Sequence, residues 1–186
     1  MPNLNYRTAG ESHGQALIAL IEGMPAGVPI DLAFINSELT RRQGGYGRGG
    51  RMKIAREEAV VLSCLRRGVT IGSPIAIQIN NCDFRIDEAP PIHRPRPGHA
   101  DLAGSLKWLT TDCRETLERA SARETAARVS AGALARCLLR EFGIEVLGYV
   151  VQIHDVTASV PREAAVDEFR SARDANEAYC PDQDAA

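Results

Sequence analysis

The sequence predicts a chain of mixed strand and helix built around one buried helix, and three observations predict it. Short apolar runs bounded by turn residues occur at residues 15–22, 59–63 and 75–79, with the length of strands rather than helices. A longer segment, residues 122–142, carries small and apolar residues between a capping signal and a terminal glycine, the pattern of a helix. At 186 residues and 44% hydrophobic, the chain is long enough to bury a sizeable core.

Taken in order, QALIALIE at residues 15–22 reads as a buried strand that ends at the turn GMPAGVP. A helix follows, capped by Asp31, with Phe34, Ile35 and Leu39 at helical spacing and a stop at Gly44 and Gly45. GGYGRGGR has too much glycine for the interior of an element and too much arginine for an ordinary linker. The strands at 59–63 and 75–79 flank a turn at residues 72–74. Residues 81–98 hold Pro90, Pro91, Pro95 and Pro97, which exclude regular helix or central strand and imply an extended loop. In the helix at 122–142, Ser121 and Glu124 have the spacing of a capping box and Gly143 sits past its end. Its many alanines predict close packing against a sheet rather than an exposed amphipathic face. IEVLGYVVQI, residues 144–153, reads as a further buried strand, and residues 162–178 have helix-favouring composition. No repeat or linker divides residues 1–186, so no internal domain boundary is expected.

Composition excludes several classes. No run approaches the length of a membrane span, and the N-terminus lacks a charged and an apolar leader region, so a soluble cytoplasmic protein is expected. Five cysteines without a C-x-x-C pair or a histidine at zinc-ligand spacing indicate neither a disulfide framework nor a metal site. Net charge is −2, yet every basic residue except Lys53 and Lys107 is arginine. That bias suits an anionic ligand; a GC-rich genome would produce it equally.

Four strings carry chemistry. GESHG, residues 10–14, sets a hydroxyl and the imidazole of His13 between glycines that let a ligand approach the backbone. RPGHAD, residues 96–101, holds His99 after a proline-stiffened loop. Taken alone, each is more often structural than catalytic. His93 and His154 have no such setting and read as ordinary surface or strand residues. Residues 41–56 gather Arg41, Arg42, Arg48, Arg51, Lys53 and Arg56 among glycines, as a phosphate ester requires. The same segment suits a solvated basic loop or an RGG-like RNA-binding module, the latter weakened by the near-neutral charge. RASARET places Arg119 and Ser121 at a helix start, where an anion is favoured; Ser121 serves equally as a simple cap.

Together and in order, GESHG, PAGVPID, RRQGGYGRGGRMKI, GSPIAIQINN, RPGHADLAGSLKW and LERASARETAARVSAGALA resemble the N-terminal half of the chorismate synthase family across nearly the whole chain. The resemblance implies an α+β fold, helices sandwiched between antiparallel sheets in a β-α-β sandwich, here incomplete. It implies a lyase of the shikimate pathway that eliminates phosphate from 5-enolpyruvylshikimate 3-phosphate to give chorismate, a 1,4-anti elimination requiring reduced FMN, in a cytoplasmic homotetramer with no nucleic-acid or membrane partner.

The family's roles carry over residue by residue. His13 matches the histidine thought to protonate the departing phosphate, and His99 the one that acts toward the reduced flavin. Arg42 and Arg48, with Arg51 assisting, match arginines that bind phosphate of the substrate, or of NADPH in members that reduce their own flavin. Arg119, Ala120 and Ser121 match a segment that contacts FMN. Three departures stand out: Cys64 where glycine is usual, Trp108 where tyrosine is common, and Ala55 at a commonly acidic position. Family members are longer, and their second half supplies further flavin and substrate contacts. The expectation is therefore a fragment, inactive unless a partner chain supplies that half.

Overall fold

Alternate residues of a strand face opposite sides of its sheet, and two segments obey that rule so strictly that they fix the centre of the fold. The computed structural model describes residues 3–47, 57–160, 163 and 165–186. In chain order its elements are β1 (Asn5–Ala9), β2 (Ala16–Glu22), β3 (Ala26–Pro29), α1 (Leu32–Gln43), β4 (Ala59–Val61), β5 (Leu65–Arg66), β6 (Val69–Ile71), β7 (Ile75–Asn80), α2 (Asp101–Trp108), α3 (Arg114–Arg119), α4 (Thr125–Arg140), β8 (Gln152–Ile153), β9 (Val156–Thr157) and α5 (Val166–Asp174). A 3₁₀ turn, Ala122–Glu124, joins α3 to α4.

Leu17, Ala19 and Ile21 of β2 and Ile75, Ile77 and Ile79 of β7 are buried and pair antiparallel as Leu17 with Ile79, Ala19 with Ile77 and Ile21 with Ile75. Strands β1 and β4 flank them, giving an antiparallel sheet in the order β1-β2-β7-β4. Smaller antiparallel pairings join β3-β6-β5 and β8-β9. One face of the large sheet is covered by α4, which also packs on α1. Ala126, Ala127, Ala131 and Ala133 of α4 are buried, and side chains this small let the helix axis lie close to the isoleucine face. Ile35 and Leu39 of α1 complete the same core. The fold is α+β, with a sheet layer and a helix layer of the expected sandwich in place.

Several expectations hold in detail. Asp31 Oδ1 accepts a hydrogen bond from Phe34 N at 2.9 Å, and α1 stops before Gly44. The proline-rich stretch at 81–98 contains no regular element.

Other expectations are corrected. Ser121 caps the 3₁₀ turn by accepting from Arg123 N at 3.4 Å, but Glu124 does not complete a capping box. Its carboxylate accepts instead from Thr8 of β1 and Arg128, because a buried carboxylate gains more from a hydroxyl and a guanidinium than from one backbone N–H. The strand expected at 144–153 is reduced to β8, since an apolar run needs a neighbouring strand to satisfy its backbone and Val146, Tyr149 and Val151 lie exposed. The C-terminal helix is confined to α5.

Leu134 is fully buried among these elements, whereas Leu106 of α2 is 69% exposed. Leu134→Ala should therefore destabilise the chain by about 2–5 kcal/mol, and Leu106→Ala by less than about 0.5 kcal/mol, as read from urea unfolding midpoints.

Candidate active site

The turn between β1 and β2 is folded by its glycine and then gripped from two sides. Gly10 has φ +95°, and a Cβ there would lie 2.2 Å from the carbonyl oxygen of Ala16, so any side chain would both strain the backbone and push the strands apart. On one side, buried Asn81 donates through Nδ2 to the carbonyls of Ser12 and Gly14, at 2.6 and 2.9 Å. The carbonyl of His13 accepts the backbone N–H groups of Arg85 and Ile86.

On the other side stands Glu118 of α3, 1% exposed. Its main-chain oxygen accepts Ser12 N at 3.0 Å, and its Oε2 accepts the backbone N–H of His13 at 3.0 Å while lying 2.7 Å from His13 Nδ1. Arg114, one turn earlier, approaches Oε1 at 3.4 Å. His13 thus stands in the wall of a groove of about 460 Å³ bordered by Arg85, Glu88, Pro90, Arg114 and Glu118.

His99 is held in a similar way. Its Nδ1 contacts Oδ1 of Asp101, the fully buried first residue of α2. Arg96 reaches the same carboxylate through Nε at 2.9 Å and through its backbone N–H at 3.1 Å. The hydrogen bond from Arg96, opposed in part by burial, holds the Asp101 carboxyl well below the usual carboxylate range. Helix α2 packs on α3 at Gly104, where a Cβ would lie 2.0 Å from Thr116 Oγ1, so α3 supports both histidines.

The other expected residues fall into two groups. Arg119 donates to the carbonyl and the hydroxyl of Thr8, both at 2.8 Å. It lines a second groove of about 390 Å³ with Glu11, Trp108 and Ala120. Ser121 follows as the cap described above. Arg42 lies at the end of α1 with its side chain only 8% exposed. It binds Glu57 at 2.8 Å, Thr125 Oγ1 at 3.0 Å and the carbonyl of Ala122 at 3.1 Å. Burial pushes the Glu57 carboxyl up against the pull of Arg42 and Arg123. Arg48, Arg51, Lys53 and Arg56 lie outside the described residues, and with them most of the segment that the RNA-binding reading rests on.

The fold therefore brings GESHG together with the end of α3, sets His99 just before the neighbouring helix α2, and puts Arg42 beside the start of α4. His99 lines neither of the two grooves. Sequence reasoning missed Glu118, Asn81 and Asp101 as partners, although all three lie inside strings it singled out.

The family model for chorismate synthase matches residues 4–186. The chain is 48% identical over 195 residues to the chorismate synthase of Desulforamulus reducens, covering 98% of this chain and 50% of that protein. It is 50% identical over 196 residues to that of Symbiobacterium thermophilum, covering 96% of this chain and 50% of the relative. A solved structure described as the crystal structure of chorismate synthase superposes with a TM-score of 0.79 at 37% identity, over 98% of this chain and 50% of the other. The chain spans about half the length of the curated relatives it matches.

Because the folded Asp101 carboxyl lies below the ordinary value of 3.8, the stability it contributes is present above that value and is lost as pH falls toward the folded one. Unfolding midpoints between about pH 5 and pH 2 should fall less steeply for Asp101→Asn than for the unmodified chain.

Proposed function

The chain belongs to the chorismate synthase family, and on that premise we propose that it provides one half of the site in which phosphate leaves 5-enolpyruvylshikimate 3-phosphate to give chorismate. One observation carries the reading: His13 is fixed by Glu118 in the wall of a groove that also holds Arg85 and Arg114. A proton donor beside guanidinium groups is what a departing phosphate needs, since negative charge develops on its bridging oxygen as the carbon–oxygen bond breaks.

In this reading His13 delivers its proton to the leaving oxygen. Arg42, Arg48 and Arg51 hold phosphate, of the substrate or of NADPH where the protein reduces its own flavin. The guanidinium of Arg42 also binds Glu57, Thr125 and Ala122, so it fixes where residues 44–47 leave α1 as well. Reduced FMN would be held by Arg119, Ala120 and Ser121. The groove beside Arg119 and Ala120 fits only the ring of such a group, against Ile86 and Trp108, since Glu11 and Glu115 line it beside the single guanidinium of Arg119. When bound, the flavin supplies electron density that no side chain can. His99, anchored on Asp101 outside that groove, acts toward the flavin as the family's matching histidine does. The remaining contacts, like a cytoplasmic homotetramer, belong to the family's complete chain, and residues 1–186 form one continuous portion of its domain. Among the described residues no helix is long and apolar enough to cross a membrane.

A second reading, in which the chain alone is inactive, is favoured by its covering half of each relative. Co-expression separates the two. The chain and the second half of the Desulforamulus reducens relative are produced together and separately, and phosphate release is followed with reduced flavin. Release only from the mixture is the expected result. No release from the mixture, under conditions where the intact relative turns over, would sink the reading. In the active mixture His13→Ala and His99→Ala should each lower turnover by about 10²-fold or more.

A further inference from the structure

Nothing in the family assignment says which nitrogen of His13 carries its proton, or what decides it. The surroundings of Glu118 do. Oε2 accepts the backbone N–H of His13 at 3.0 Å, and Oε1 faces the guanidinium of Arg114 at 3.4 Å. Both oxygens are therefore already turned toward donors, and a carboxylate so placed is an acceptor on each side. His13 Nδ1, 2.7 Å from Oε2, must then be the donor.

The carboxylate has no freedom to serve another partner. Its side chain is fully buried, its main-chain carbonyl holds Ser12 N, and α3 fixes its stem. The ring is equally confined: its own carbonyl is bound by Arg85 and Ile86, the carbonyls on either side of it by Asn81, and its side chain is 19% exposed.

We propose that Glu118 is the positioning residue for His13, holding the imidazole with its proton on Nδ1, so that the ring exchanges its second proton at Nε2. Neutral histidine in water favours the opposite tautomer, so the arrangement reverses an intrinsic preference. Its catalytic meaning rests on the proposed function: a ring anchored at Nδ1 takes up and gives back its second proton at Nε2 without turning. Atomic bookkeeping is simple, because Glu118 neither gains nor loses a proton in the process.

The test uses the present chain, labelled with nitrogen-15, and long-range proton–nitrogen NMR of the histidine rings, with His13 assigned by its absence in His13→Gln. A pyrrole-type Nδ1 and a pyridine-type Nε2 in the neutral ring are expected. In Glu118→Ala the acceptor is gone, and the neutral ring should shift toward the Nε2-protonated form favoured in water. A pyridine-type Nδ1 in the unmodified chain overturns the proposal whether or not the variant folds. So does an unaltered pattern in a folded Glu118→Ala.

In the reconstituted mixture, Glu118→Gln should lower kcat by between about 10-fold and about 10⁴-fold, the range for carboxylates that orient a functional histidine, with KM little changed. If His13→Ala retained full turnover while Nδ1 remained pyrrole-type, the functional reading would fail and the tautomer assignment would stand.

Discussion

A carboxylate that water cannot reach must collect donors from whatever packs around it, and in this chain that requirement at Glu118 joins the parts of the site. The turn at residues 10–14 belongs to the sheet, Arg114 to the same short helix as Glu118, and the proline-rich loop to neither. Glu118 touches the first two directly, and Arg114 in turn donates to Pro90 O in the third. Removing the carboxylate would leave a backbone N–H and a ring nitrogen unpaired inside the protein, so the local backbone geometry and the histidine orientation are one constraint.

The same solution recurs. Glu57, Asp101, Glu118 and Glu124 are all buried, and each meets at least one guanidinium: Arg42 and Arg123 at Glu57, Arg96 at Asp101, Arg114 at Glu118, Arg119 and Arg128 at Glu124. This bears on the arginine bias of the sequence. In these pairs a planar fork that can serve two oxygens, or an oxygen and a carbonyl, suits a crowded interior better than a lysine does. Part of the arginine content is architectural, and Arg42, expected as a phosphate ligand, is bound up in that architecture.

What could be read from the sequence follows the range of the interactions concerned. The strands at β2 and β7 and the start of α1 announce themselves within a few residues, by the apolar run LIALIE, the alternation in IAIQIN and the Asp31 cap. The strand β1 escapes because four of its five residues are exposed and give no alternation, and α3 because six residues hardly span two helical turns. IEVLGYVVQI has the composition of a strand, but composition does not supply a neighbour to pair with. At the site the histidines were legible from their motifs. Their partners were not equally so: Asp101 lies two residues from His99, while Glu118 is 105 residues from His13, a pairing no local pattern encodes.

The contacts at the end of α1 have a consequence for how the arginine–glycine segment can vary. Arg42 binds Glu57 at 2.8 Å, and Gln43 accepts the backbone N–H of Glu57 at 3.3 Å, so the chain departs and returns at one point of the scaffold. The entropy of closing that loop is met by contacts lying outside it. Lengthening such a closed loop is thermodynamically cheap, at about 0.6 kcal/mol for each doubling. Added length between Gln43 and Glu57 thus costs the sheet and helices little, whereas Gly45, at φ +95° and packed against Tyr179, is tied to that framework.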